Sequence, residues 1–547
     1  GAGILGIGGL WSLFGPGGGG GTTGGGPKPK PKPTPGDDKS LQYETGVFAL
    51  PSTSGRISVP VDFDPDLLLF STTNAARTDP ATDRTTGWSR GIVHAENDDV
   101  DHRSVTVADD AHHTDQGTCA TDDAHAFQVI RHQPEAAPGR VQAAVTGTSG
   151  DGFDLDVSVP GDDPLAGGIR VSYQAIQFPS GVSLDVDHFR TPTEPGTQTV
   201  DLGLAADHVS LLASGAVSGA GHLWTTDRGL GLAVGQAVDD EGVLSQTTYG
   251  SSVWPRAGHD SAAVSREDRG LHLLYQDADR LAGRTSATVG ALGETLRLQY
   301  DRVYNGPHKL GSTARHVVPY LALDGGEKAR PAVGATSLPA AGESIEIECG
   351  FEPAMIEVTV SGAPLGEEVE SGATANPFGW SFGTAIADED RLRQYVVHHA
   401  LAPDLPDASV EAADSAGGAA GGTGAAAGAD GAGTDRAATD GGLDAGPAAR
   451  DSVAAPSGTE SPDGDAMTAP KPPENADDEL VAIHLRQGAD GAIVGRESIR
   501  VTDMDEGGFD LAVRGIDVGG TGGGDGTAGA GANDDRPAVH YRAWPAA

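Results

Sequence analysis

Over most of its length this chain alternates apolar and polar residues with a period of two. RISVPVDF (Arg56–Phe63), RVQAAVTG (Arg140–Gly147), FDLDVSV (Phe153–Val159) and SIEIECGF (Ser344–Phe351) all do so. Side chains two apart share one face of a strand, so each segment predicts a strand with one buried and one solvated face. Gly, Pro and Asp turns separate these segments roughly every 8–12 residues, the spacing of an antiparallel sandwich. The pattern predicts an all-β chain of antiparallel β-sandwich, jelly-roll-like domains. No amphipathic helix exceeding three turns is predicted. The nearest candidate is DEDRLRQYVVHHAL (Asp388–Leu401), whose counterpart earlier in the chain reads as strand.

The strand pattern also repeats at a larger scale. GVFALPSTSGRISVPVDF begins at Gly46, HFRTPTEPGTQTVDLGL at His188 and GATSLPAAGESIEIECGF at Gly334. Each holds a strand, a turn on Pro51, Pro192 or Pro339 with Gly55, Gly196 or Gly342, and a second alternating strand. Further on, GWSRGIVHA (Gly87–Ala95) matches GWSFGTAIA (Gly379–Ala387), with DRGLGLAVG (Asp227–Gly235) as the weaker second copy. A Gly-Arg step recurs at Arg140, Arg284 and Arg496, and each copy closes on Tyr-x-Ala at Tyr173, Tyr320 and Tyr541. The motifs keep one order throughout. They predict three domains, 44–180, 181–327 and 328–547, behind an N-terminal segment 1–43. The third is split by a low-complexity insertion at 403–476 and a Gly-rich loop at 519–532. Insertions of this kind lie in surface connections, where added length costs little entropy, and disorder is the expectation for the longer one.

Charge narrows the setting. Asp and Glu number 78 against 36 Lys and Arg, a formal charge of −42. Such a chain repels itself in dilute buffer, but in molar salt the Debye length falls to about 3 Å and the repulsion is screened. With scarce aromatics and abundant Ala and Gly, this reads as a protein of very salty water, from a haloarchaeon or one of its viruses. Nucleic acid is excluded as a partner, since no basic patch is visible. Cys119 and Cys349 have no CxxC or metal-ligand spacing and lie in different copies, so both are predicted as free thiols in or near cores.

The N-terminal segment has its own logic. GAGILGIGGLWSLFG (Gly1–Gly15) is apolar and uncharged, shorter than the roughly 20 residues of a membrane span, and without the basic region of a signal peptide. Glycine runs follow, then PKPKPKPTP (Pro27–Pro35). That order predicts an apolar plug, a flexible tether and a stiff polyproline spacer. Ile4, Leu5, Ile7, Leu10, Trp11, Leu13 and Phe14 are the expected anchoring residues, because left exposed they form an apolar liability.

Catalytic chemistry is not visible. GxSxG, HExxH and Walker sequences are absent, and carboxylates are too many for an acid–base pair to stand out. The adjacent pairs His112–His113 and His398–His399 would face opposite sides of a strand. His272 and His484 hold equivalent positions and read as edge or core histidines. Asp503, Asp505 and Glu506 are the candidate ligands for a Ca²⁺ ion, although the equivalent copy-one loop lacks their carboxylate density and Asp-Gly is also ordinary turn chemistry. No other cofactor is expected. The arginines of the Gly-Arg steps are expected to pair with a carboxylate of the same sheet. Trp88, Trp254 and Trp380 are where sugars could stack, but the equivalence of Trp88 and Trp380 points to a core anchor.

GVFALPSTSGRISVPVDFDPDLLLF, with its distant GWSRG and closing VSYQAIQF, resembles a β-sandwich repeat of virion proteins in tailed viruses of bacteria and archaea. The resemblance covers about residues 44–545 and is one of strands and turns. It implies a non-enzymatic structural protein of a haloarchaeal tailed virus, a tail-fibre, baseplate or capsid-surface component, extracellular and in hypersaline surroundings. Implied partners are other virion proteins, through the arm, and host surface glycans or surface-layer protein. A homotrimer is the expected oligomer, though three copies in one chain could act alone as a pseudo-symmetric unit. A cellular haloarchaeal surface or adhesion protein is the alternative. A carbohydrate-active enzyme is disfavoured, because no acid–base pair recurs at equivalent positions.

Overall fold

The computed structural model describes residues 39–76, 85–96, 99–110, 116–133, 136–160, 169–215, 221, 223–226, 230–253, 261–277, 280–304, 315–370, 380–388, 391–399, 467–468, 480–487, 493–517 and 536–546. All belong to the unit Lys39–Ala547. The first group of strands is β1 (Gln42–Ala49), β2 (Gly55–Pro60), β3 (Leu67–Ala76), β4 (Thr85–Glu96), β5 (Asp99–Asp110), β6 (Gln116–Asp122), β7 (Phe127–Gln133), β8 (Ala136–Ser149), β9 (Gly152–Ser158) and β10 (Ile169–Gln177). The second is β11 (Ser183–Arg190), β12 (Gly196–Asp201), β13 (His208–Ser214), β14 (Trp224–Thr226), β15 (Leu230–Asp240), β16 (Val243–Val253), β17 (Ser261–Arg266), β18 (Leu271–Asp277), β19 (Arg280–Ala291), β20 (Thr295–Arg302) and β21 (Val317–Asp324). After a single-turn helix, α1 (Gly326–Ala329), come β22 (Ala332–Ser337), β23 (Ser344–Glu348), β24 (Pro353–Pro364), β25 (Glu368–Glu370), β26 (Trp380–Asp388), β27 (Arg391–His399), β28 (Met467–Thr468), β29 (Ala482–Gln487), β30 (Ile493–Met504), β31 (Gly508–Asp517) and β32 (Pro537–Pro545).

The protein is thus all-β, and one strand order appears three times. One sheet of each copy runs β1-β10-β3-β4-β5-β6, β11-β21-β13-β15-β16-β17 or β22-β32-β24-β26-β27. The other runs β2-β9-β8-β7, β12-β20-β19-β18 or β23-β31-β30-β29. Each pair of sheets encloses its own core: around Phe70, Phe127 and Tyr173 in copy one, Leu211, Leu273 and Tyr320 in copy two, and Val358, Leu511 and Ile499 in copy three. A fourth core lies between copies. Leu69, Trp88 and Ile176 of copy one, Leu212, Val234 and Tyr249 of copy two, and Met355, Phe382 and Trp544 of copy three form one cluster. The first sheet of each copy is therefore an inner sheet, buried on both faces, and the second an outer sheet with one face in solvent.

Three equivalent junctions close these copies into a ring. The first strand of each copy packs on the fifth strand of the copy before it: β11 on β5, β22 on β16, and β1 on β27. An arginine–carboxylate pair spans each junction: Arg103 with Asp187 at 2.9 Å, Arg393 with Glu44 at 2.7 Å, and Arg330 with Asp240. Two junctions also gain a short added strand. β14 of copy two pairs with β6 of copy one, and β25 of copy three pairs with β17 of copy two.

Repeated local devices hold each sandwich together. The equivalent strands β8, β19 and β30 carry a bulge at the same place, where pairing shifts register after Val145, Val289 and Val501. A bulge leaves a backbone N–H without its ladder partner. A side chain of the inner sheet accepts that hydrogen each time: His102 Nε2 from Val145 N at 3.0 Å, Gln246 Oε1 from Val289 N at 2.8 Å, and Gln394 Oε1 from Val501 N at 2.8 Å. Gly91, Gly235 and Gly383 also share a position. A Cβ there would lie 1.5 Å from Ala126 O, 1.7 Å from Gly270 O and 1.5 Å from Val481 O, so only glycine lets the inner sheet approach the corner leading into the outer one.

This equivalence corrects one sequence match. Gly235 takes the place of Gly91, so GWSRGIVHA corresponds to GLAVGQAVD (Gly231–Asp239), four residues beyond the start of DRGLGLAVG. The nearest helix candidate is also strand. Arg391–His399 pairs along its length with β26, because Tyr395, Val396 and Val397 bury themselves in the sheet.

Candidate functional site

The most unusual chemistry lies on the axis where the inner sheets meet. Three registers place it there. One position of β3, β13 and β24, opposite Gln174, Leu321 and Arg542, carries Leu69, Ser210 and Glu357. The residue before the repeated glycine is Arg90, Val234 or Phe382. The residue after the Tyr of Tyr-x-Ala is Gln174, Leu321 or Arg542. These are outward positions on strands already buried by their own outer sheet, and the ring turns them inward.

The polar members find one another across copies. Arg90 donates to Glu357 Oε1, and Arg542 Nη2 donates to Glu357 Oε2 at 2.6 Å. Side-chain exposure is 5% for Arg90, 3% for Glu357 and 1% for Arg542, so the three charges are out of water. Arg542 Nη1 donates to Ser210 Oγ at 2.9 Å, and Arg90 Nη1 to the Tyr249 hydroxyl at 3.0 Å. Gln174 Nε2 reaches Glu357 Oε2 at 3.3 Å and Thr384 Oγ1 at 2.8 Å. All three copies contribute. Trp88 stacks on Phe382 at 4.9 Å between ring centres, and Arg542 lies 5.1 Å from the Trp544 ring centre.

Burial opposes every charge here, and the pairing decides which survive. Glu357 is desolvated, yet the two guanidiniums hold its carboxyl down to about 2. Burial outweighs pairing at Arg542, whose pKa is lowered, with Arg90 adding repulsion. Burial lowers His540 to about 3 and His208 well below the usual imidazole value, so both rings are neutral. His540 sits between Thr247 Oγ1 at 2.5 Å and Ser265 Oγ at 2.7 Å. Burial likewise raises the Tyr249 phenol, which stays protonated. This set can fix the copies in one arrangement and hold charge. It contains no water-exposed nucleophile or base.

Apart from Trp88, the described residues singled out from sequence fall elsewhere. Asp503, at the end of β30, and Asp505 and Glu506, in the β30–β31 turn, are all exposed. There the Asp505 carboxylate accepts from Gly507 N at 2.9 Å and Gly508 N at 3.1 Å, and Asp503 accepts from Met504 N at 2.9 Å. Among the described residues no group of three or more His, Cys, Asp or Glu is placed to hold a metal. Among the described residues, Arg140 and Arg284 find their partners in the next copy and not in a carboxylate of their own sheet. Arg140 donates to Gly221 O of copy two, and Arg284 pairs with Glu368 of copy three, which His272 also approaches at 3.3 Å. In copies one and two the Gly-Arg step thus marks the seam to the next copy. Trp88 is a core anchor. Cys119 is buried and Cys349 half-buried, both as free thiols pushed up to about 12 by burial. Ile4, Leu5, Ile7, Leu10, Trp11, Leu13, Phe14, His112, His113, Trp254 and the side chains of Trp380, His398, His399, His484 and Arg496 lie outside the described residues.

No family model matches the chain, and no curated protein matches it. Among solved structures it is similar to mouse laminin alpha1 chain, domains LG4-5, at 10% identity over 52% of this chain and 84% of that one. The TM-score is 0.08, too small to carry fold or function.

Proposed function

We propose that the chain is a non-enzymatic structural protein of a haloarchaeal tailed-virus particle, a single-chain ring of three sandwiches held to the particle by its apolar arm. The observation that carries this reading is the closed ring itself. One chain already brings three like faces around one axis, the symmetry a component needs to sit over a threefold or pseudo-threefold position of a larger assembly. A ring closed within one chain also favours the pseudo-symmetric unit over a trimer of chains. The charge of −42 suits molar salt, where it keeps such a surface hydrated and soluble.

Attachment to host glycans is the finer part of the proposal. Among the described residues the one large apolar side chain exposed to solvent is Val243, so sugar stacking on aromatic rings finds no platform there. The test is incorporation. Purified particles of the encoding virus should contain the full-length chain, and deletion of residues 1–26 should abolish incorporation while the β-ring keeps its circular dichroism and melting profile. Normal incorporation of the truncated chain overturns the anchoring role. Absence of the chain from particles and its presence on the cell envelope would favour a cellular surface protein.

A further inference from the structure

We infer that the cavity between copies two and three, beside Arg542, is a binding site for a small monovalent anion, chloride in a saline medium. The argument begins with charge. Arg90 and Arg542 face the single carboxylate of Glu357, and all three are buried. An arginine does not release its proton in a protein, so the surplus positive charge cannot be removed by titration. The other ionisable groups packed against the pair are Tyr249, His208 and His540, and burial keeps all three neutral. Both Glu357 oxygens are already engaged, Oε1 by Arg90 and Oε2 by Arg542 and Gln174. One buried guanidinium therefore has no carboxylate of its own among the described residues, a strongly destabilising situation unless a counter-charge enters.

The space for that counter-charge adjoins the pair. A cavity with room for one water-sized occupant is bounded by Arg542, Tyr249, Gln236, Thr247, Thr359 and Glu357, with the His540 ring beside them. Two buried groups in its wall lack hydrogen-bond partners: Arg542 Nε and Gln236 Oε1. The Gln236 amide can turn to present its N–H₂ instead, since the two ends of an amide are nearly isosteric. The Tyr249 hydroxyl accepts from Arg90, which leaves its own hydrogen to donate. A guanidinium N–H, an amide and a phenol O–H form a donor set for an anion. Water would satisfy these donors and leave the charge in place, whereas chloride satisfies the donors and balances the charge.

Bromide is the direct probe. Crystals of the full chain grown with bromide in place of chloride should show an anomalous peak in this cavity, within hydrogen-bond reach of Arg542. A cavity that holds only water under saturating bromide overturns the inference, whatever ions decorate the surface. A second measurement keeps ionic strength constant while chloride is exchanged for methanesulfonate, too bulky for the cavity. The wild-type melting temperature should rise with chloride. It should not respond in Arg90→Met, where Glu357 and Arg542 remain as a balanced pair. An equal chloride response in both proteins also overturns the site. If Arg90→Met does not fold, the bromide result decides alone.

Discussion

The inner and outer sheets of each copy are both largely antiparallel but have opposite relations to water. In the outer sheets only one face is covered, and TLRLQYDR of β20 alternates between exposed and buried along its length. In the inner sheets both faces are covered, and HVSLLAS of β13 and VVPYLAL of β21 are buried throughout. Charge follows the same division. Arg56 and Asp154 pair on an outer sheet at 2.5 Å with side-chain exposures of 51% and 32%, where solvent screens them. Arg90, Glu357 and Arg542 pair on the inner axis, where nothing screens them. The comparison teaches that the same residue types act as a solubilising coat on one sheet and as a lock between copies on the other.

That division is tested most strongly at Glu357. Glu357→Leu strands two guanidiniums in the interior and should cost about 3–5 kcal/mol, read as a lowered denaturant midpoint at high salt. Next comes acid. The unfolded chain takes up protons at its histidines near pH 6.5, while His102 and His540 resist until about 4 and about 3. Stability present above pH 6.5 should therefore fall as pH drops through this window, by roughly 3 kcal/mol for each ring at pH 4. Below about pH 4.5 the loss steepens, because Glu357, held down to about 2, then protonates in the unfolded chain first. Melting temperature against pH checks both parts, and a flat profile from pH 7 to 4 would falsify the neutral burial of these rings.

Between the sheets the expected effect is smaller. Gln394→Leu removes the acceptor of the bulged Val501 N–H and the donor to Val501 O, and should cost about 1–3 kcal/mol by chemical denaturation. Outside, Arg56→Ala should cost less than about 1 kcal/mol, and that little should vanish as salt is raised. A large, salt-insensitive loss at Arg56 would erase the distinction between the sheets.

Much of the outer architecture was legible from the chain alone. Alternation with period two reads directly as strands because one face of each outer strand meets water, and FDLDVSV needs no other information. The tyrosines of Tyr-x-Ala were visible as a recurrence. Their purpose was not: in copies one and three the tyrosine side chain lies against Gly46 or Gly334, where a Cβ would come within 2.8 Å of Tyr173 and 2.4 Å of Tyr541. Inner strands were harder to place, since burial on both faces removes the alternation and leaves apolar runs such as LLLF. DRGLGLAVG was misaligned by four residues for this reason, as Gly231 and Gly235 look alike until the close approach to Gly270 distinguishes them.

Strand content, sandwich class, the three-times-ordered motifs and the acidic coat follow from sequence because they depend on residues near one another along the chain, or on composition. The ring, its seams and its axis do not. Arg90 sits in GWSRG, Glu357 in MIEVTV and Arg542 in HYRAW, and each reads as an ordinary outward residue of its strand. Only the packing of three inner sheets turns those outward positions toward one another. Partners separated by 267 and 185 residues have no local signature, because the energy that joins them is set by burial and geometry that only the folded ring creates.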